Sequence, residues 1–128
     1  MLATQPTPVC AELTPFEIVE ADLEGGVVRL EFAEQPAFRN HFGQIQGGFG
    51  VAMADVCISL AAFAKHRKWL PTVEIKCSFL SPIPVGPCVG EGRILKSGRG
   101  TVFLEARLWG PGGSLAFHAT ATAHTRAD

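Results

Sequence analysis

Apolar and polar positions along the chain fall into two periods. Phe16 to Asp22 and Val27 to Phe32 read as strands on either side of the turn Glu24-Gly25-Gly26. In the second, Val28, Leu30 and Phe32 share one face, because side chains alternate along a strand. Gln35 to Gln46, interrupted by Pro36 and Gly43, reads as a loop. From Gly47 to about His66 the chain is almost wholly apolar and rich in alanine, which predicts the one long helix. It runs out in Lys65, His66, Arg67 and Lys68, cations that suit the negative end of a helix dipole. Strands then dominate. Thr72 to Leu80 puts Val73, Ile75, Cys77 and Phe79 on one face, and Pro82, Pro84 and Pro87 end that run. Cys88 to Lys96 follows, then the turn Ser97-Gly98-Arg99-Gly100. Thr101 to Trp109 alternates, with Val102, Leu104, Ala106 and Leu108 on one side. After Pro111-Gly112-Gly113, Ser114 to Thr125 closes the set with Leu115, Phe117, Ala119, Ala121 and Ala123.

Two strands, one long helix and four more strands joined by short turns define an α+β chain. One helix cannot cover both faces of so large a sheet. The simplest arrangement is an antiparallel sheet curled around the helix, its other face covered by a second copy. Residues 1–12, with Pro6 and Pro8 and no period, read as a loose N-terminal arm, and residues 13–128 as a single domain without repeats or a linker.

Composition narrows the function classes. The charged fraction is 18% and the apolar fraction 47%, a balance that leaves apolar surface for a partner subunit. A net charge of −1 gives no global field for nucleic acid or an anionic membrane, so any bound anion needs a local cluster. Gly47 to Ala64 is short for a bilayer span and carries Asp55 at its middle, so a buried core helix is the better reading and no membrane partner is expected. Cys10, Cys57, Cys77 and Cys88 show no CxxC pair and no zinc-finger spacing to histidine. Read as reduced thiols, and with no basic-then-apolar leader at the N-terminus, they point to the cytoplasm.

The chemistry concentrates between Asn40 and Asp55, in the run Asn40-His41-Phe42-Gly43-Gln44-Ile45-Gln46-Gly47-Gly48-Phe49-Gly50-Val51-Ala52-Met53-Ala54-Asp55. Glycines at 47, 48 and 50 let another group approach the backbone where the helix begins. Its first N–H groups are unpaired and attract negative charge, such as a carbonyl developing an oxyanion. Asp55, about two turns further on, is a carboxylate on an otherwise apolar helix. Spacing alone leaves two readings open for it, a chemical role or a structural one, pairing with a base or capping a neighbouring backbone group.

This segment resembles the phenylacetate-pathway (PaaI-like) thioesterases and the related 4-hydroxybenzoyl-CoA thioesterases. Their pattern is an Asn, a Gly three residues on, then His-Gly-Gly and an acid nine residues after that histidine. Asn40, Gly43, Gly47, Gly48 and Asp55 match it. A later motif reads Thr72-Val73-Glu74-Ile75-Lys76-Cys77-Ser78-Phe79-Leu80-Ser81-Pro82, then Gly86, and the Gly98-Arg99 turn and closing Ala/Thr-rich strand also fit. The resemblance covers about Phe16 to Arg126. It implies a hotdog fold and an acyl-CoA or aryl-CoA thioesterase. Asp55 would be nucleophile or general base, Gly47 N–H would hold the thioester oxygen, Asn40 would position thioester or water, and Thr72 would support the water or the acid. It also implies a dimer or tetramer with each site shared between subunits, and neither a metal nor a redox cofactor. Gln46 and Gly48 would contact substrate, and Lys96 and Arg99 would meet CoA phosphates, a role open also to Lys65–Lys68. One departure stands out: the family histidine is Gln46, and an amide orients or hydrogen-bonds but does not transfer protons.

Other residues read more plainly. His41 is a loop histidine that could stand in for the missing one. His118 and His124 lie on the polar side of the last strand, and Phe49, Met53 and Phe79 are core or pocket wall. Two competing functions remain: a non-catalytic acyl-CoA binder, which Gln46 makes credible, and a hydratase or dehydratase. His41-Phe42 echoes a motif of the latter without its Pro-Gly.

Overall fold

Phe16–Asp22 (β1) and Val27–Phe32 (β2) form an antiparallel hairpin whose turn needs Gly26 at a φ of 67°, where an L side chain is strained and a Cβ would meet Ile94. The computed structural model describes residues 8–125, so residues 1–7 of the expected arm lie outside the described residues, as do 126–128. Val9–Leu13 is a short 3-10 helix with no buried side chain. A single turn of 3-10 helix at Pro36–Phe38 stands within the expected loop and buries Phe38. The long helix, α1, spans Gly47–His66 and ends with Arg67 in the left-handed region. Thr72–Phe79 (β3), Cys88–Ser97 (β4), Thr101–Trp109 (β5) and Leu115–His124 (β6) complete the chain.

The six strands make one antiparallel sheet in the order β1-β2-β4-β5-β6-β3, so β3 is an edge strand. The sheet wraps α1, which buries Met53, Cys57, Ile58 and Ala61 against Leu30, Phe32, Leu104 and Phe117. Although α1 is long and apolar enough to cross a bilayer, it serves as the core of this sheet. Its closest approach is over β4. A Cβ at Gly90 would lie 2.7 Å from the Cys57 sulfur, and one at Gly92 would overlap the Cys57 carbonyl. Glycines on the inner face of β4 therefore set how deeply the helix sinks.

The outer face carries cross-linked charged groups beside exposed Phe103. Glu91 accepts from Arg29 at 3.0 Å, and that guanidinium lies 5.0 Å from the centre of the Trp109 ring. Glu105 is bonded by Arg107 at 2.8 Å and His118 at 3.0 Å. Burial opposes ionisation of Glu105, but these hydrogen bonds outweigh it and hold the carboxyl below its usual range.

Strand β3 departs from simple alternation. A bulge lets the three steps from Thr72 to Ile75 oppose only the two from Ala123 to Ala121 on β6. Ile75 and Cys77 face the core as expected, but Val73 is exposed and Thr72 takes the inward position instead. Phe79 packs edge-on against Phe117 yet stays half-exposed.

Candidate active site

Gln46 caps the N-terminus of α1. Its main-chain carbonyl accepts from the N–H groups of Phe49 at 2.9 Å and Gly50 at 3.2 Å, and its side-chain Oε1 accepts from Gly48 N–H at 2.8 Å. Of the opening N–H groups, Gly47's is left without a partner among the described residues. The expected row of free donors is thus reduced, and Gly48, expected to contact substrate, has its N–H engaged. Gly50 lies against Ile83, where a Cβ would come within 2.8 Å of the end of that side chain, and Gly47 lies against the Phe79 ring.

Asn40 shapes the preceding loop. Its Oδ1 accepts from the N–H groups of Phe42 at 2.9 Å and Gln44 at 3.1 Å, while Gly43 turns the chain with a φ of 79°. The acceptor is used internally, leaving the Asn40 NH2 as the group that can donate to a ligand. Beside this end of the helix opens a cavity of about 520 Å³, lined by Asn40, Phe42, Gly47, Phe79, Ser81 and Ile83. Its walls are mostly apolar, with polar groups at Asn40, Gln44, Gly47 and Ser81. Phe42, Ser81 and Ile83 are not legible in the sequence as wall residues, because loop positions have no period to reveal which way they face.

Asp55 and Thr72 form a second group. The Thr72 hydroxyl donates to Asp55 Oδ1 at 2.8 Å, and Asp55 is half-buried on the side of α1 that carries exposed Ala52 and half-exposed Ser59. Gly47 and Asp55 are eight residues apart on one helix, or about 12 Å along its axis. One chain therefore brings Asp55 to Thr72 and Asn40 to Gly47, but does not bring the two pairs together.

The basic candidates converge. Lys96 and Arg99 are exposed at the β4–β5 turn, and Ser97 in that turn is hydrogen-bonded to His66 at the end of α1, 3.1 Å away. The two alternative phosphate sites are thus neighbours on one surface. Burial, then the charges of Lys65 and Lys68, lower the His66 pKa. His41 and His124 are exposed, and His118 is committed to Glu105. Met53 is core, and Phe49 stacks on Phe38 with ring centres 4.1 Å apart. All four cysteines are free. Burial pushes the Cys57 thiol up strongly and Cys88 up to about 11, which disfavours the reactive thiolate at both. Among the described residues no group of three or more His, Cys, Asp or Glu is placed to hold a metal ion.

A helix wrapped by an antiparallel sheet is the architecture of hotdog-fold thioesterases. The chain belongs to the thioesterase superfamily, whose family model matches residues 42–117. It is similar to a phenylacetic acid degradation-related protein of Ralstonia eutropha, provisionally named a thioesterase. That likeness has 31% identity and a TM-score of 0.84, covering 94% of this chain and 92% of the other. A hypothetical thioesterase of Streptococcus pneumoniae, solved with coenzyme A, shares the fold at 18% identity, with a TM-score of 0.80 and coverage of 88% and 86%. A protein of Saccharolobus solfataricus provisionally named an esterase is 28% identical over 70% of this chain. The match spans 65% of that relative's length.

Proposed function

We propose that the protein hydrolyses an acyl-CoA or aryl-CoA thioester at a site completed by a second copy of the chain. The observation that carries this reading is the separation of two half-sites on α1: Asp55 bonded to Thr72, and the Gly47 N–H, without a partner among the described residues, about 12 Å away along the axis. Two copies of α1 packed antiparallel, with Val51 near the two-fold axis, would set Asp55 of one beside Gly47 of the other. The exposed side of α1 offers small residues, Gly48 and Ala52, for such an approach, and the adjacent edge strand β3 exposes Val73 and Phe79. The assembly is a dimer or a dimer of dimers.

In that arrangement the Gly47 N–H polarises the thioester carbonyl and holds the oxyanion. Asn40 donates to the substrate or water, and Asp55, oriented by Thr72, attacks or activates a water. From the reacting carbon, the basic surface at His66, Ser97 and Arg99 of the subunit that supplies Asp55 lies eleven residues further along α1, about 16 Å. A pantetheine arm of about a dozen bonds, extended at the per-bond rise of a peptide chain, reaches roughly 14 Å. The diphosphate would therefore arrive near that surface. The coenzyme A held by the Streptococcus pneumoniae neighbour supports this substrate class. No metal or redox cofactor enters the scheme, and the free thiols fit a reducing compartment such as the cytoplasm.

The test is thiol release from a panel of short, medium, long and aromatic acyl-CoAs. Asp55→Asn keeps the shape and removes the charge, so kcat should fall at least ~10²-fold, with KM and the oligomer little changed. Near-normal turnover by a folded Asp55→Asn would make Asp55 structural. Acyl-CoA binding without any turnover by the natural chain would favour the binder that Gln46 brings to mind, and a stable monomer in sedimentation would remove the shared site.

A further inference from the structure

The Gln46 side chain is oriented by the hydrogen bond that caps the helix. Its Oε1 accepts the Gly48 N–H at 2.8 Å, and an amide with its acceptor so engaged has two N–H donors left on Nε2. Gln46 is exposed, and no hydrogen bond from Nε2 occurs among the described residues. Two sets of donors thus stand one residue apart at the same helix end, the main-chain N–H of Gly47 and the side-chain NH2 of Gln46. Thioester hydrolysis puts negative charge on two atoms in turn, the carbonyl oxygen on attack and the sulfur on departure. We infer that Gln46 Nε2 holds the departing sulfur, so that the thiol leaves as a hydrogen-bonded thiolate without a protonating side chain at this position. The inference rests on the thioesterase reading above.

With Asp55 acting as base, the step balances as follows. Water oxygen bonds to the carbonyl carbon while one water proton passes to Asp55. The carbonyl reforms, the carbon–sulfur bond breaks, and its electron pair leaves on sulfur, held by Gln46 N–H. The proton on Asp55 then moves to sulfur, which restores the carboxylate, and the product acid ionises to solvent. Gln46 contributes a donor whose charge does not change with pH, unlike an imidazole.

The experiment compares two leaving groups. Acetyl-, octanoyl- and phenylacetyl-CoA are screened, and the fastest acyl group is also offered as its 4-nitrothiophenyl thioester, whose thiolate needs little stabilisation. Gln46→Glu keeps an acceptor for Gly48 N–H and removes the donors; Gln46→Met removes both. Both variants should lower kcat for the CoA ester at least ~10-fold, at or below the usual cost of a preorganised donor, and leave the nitrothiophenyl ester little changed. Gln46→His should add an inflection to the pH–kcat profile near the ordinary histidine value of about 6.5. An equal loss with both esters would assign Gln46 to the carbonyl or to capping alone. No loss, or no new inflection in Gln46→His, would take it out of contact with the sulfur. Any of these overturns the inference while Asp55-dependent hydrolysis stands. Absence of hydrolysis by the natural chain overturns the thioesterase reading and this inference with it.

Discussion

The Thr72 hydroxyl donates a 2.8 Å hydrogen bond to the Asp55 carboxylate, tying the first residue of edge strand β3 to the middle of α1. The bulge after Thr72 makes this possible by turning its side chain toward the helix. A hydrogen bond to a charged group contributes about 1.5–3 kcal/mol, and 1.4 kcal/mol is tenfold in rate. Thr72→Val should therefore lower kcat about tenfold while leaving KM nearly unchanged, and Thr72→Ser should keep most of the activity. Steady-state kinetics on the best acyl-CoA decides this, and equal activity in all three proteins would leave Asp55 oriented by something else.

Arg99 belongs to the turn that meets His66 through Ser97. A phosphate contact made equally in ground and transition states contributes uniform binding, which moves KM and not kcat. Arg99→Ala should raise KM for acyl-CoA about tenfold, the equivalent of ~1.4 kcal/mol, and leave kcat within about a factor of two. An acyl-pantetheine substrate, which lacks the nucleotide, should show no difference between the two proteins. An unchanged KM for acyl-CoA would move the phosphates away from this turn.

Gly92 lies directly under the Cys57 carbonyl, and a methyl group there would overlap backbone that no side-chain rotation can clear. Overpacking of a core costs typically ~1–3 kcal/mol and more where backbone must shift. Gly92→Ala should thus cost about 3 kcal/mol or more in a urea titration. The same change at Gly112, which has open space around it, should cost under ~1 kcal/mol. Similar midpoints for the two variants would show that the helix can lift off β4 without penalty.

Glu105 carries a pH signature. Its carboxyl is held below the usual range by His118 and Arg107, despite burial. A depressed acid gives stability that is fully present above the unfolded carboxylate range, near pH 4.3, and is lost as pH falls through the folded value. Acidification from pH 6 to below 4 should therefore destabilise the natural chain more than Glu105→Gln. At pH 7 the variant should be less stable by about 1–2 kcal/mol, because Arg107 and His118 lose an ionised acceptor. Parallel curves for the two proteins would remove Glu105 from acid unfolding.

The order of elements and most of their limits were legible in the sequence. Val28, Leu30 and Phe32 announce β2 by alternation, and the apolar run from Gly47 announces α1, because burial imposes its period on whatever packs against it. The segment from Asn40 to Asp55 could be marked for chemistry because glycines at a helix start and a carboxylate on an apolar helix are costly without a use. The bulge that turns Thr72 inward could not be read, since alternation alone assigns that face to Val73, and only pairing with Ala121 and Ala123 resets the count. Gln46 could be read as a missing histidine but not as a cap, because its hydrogen bond to Gly48 depends on a side-chain rotamer. The nearness of His66 and Ser97 likewise needed the fold: they are 31 residues apart, and the helix end meets that turn only once the sheet has curled around α1. Local periodicity is written residue by residue into the chain, whereas register, bulges and long-range pairs are settled by which packing of the whole sheet buries most and strands fewest polar groups.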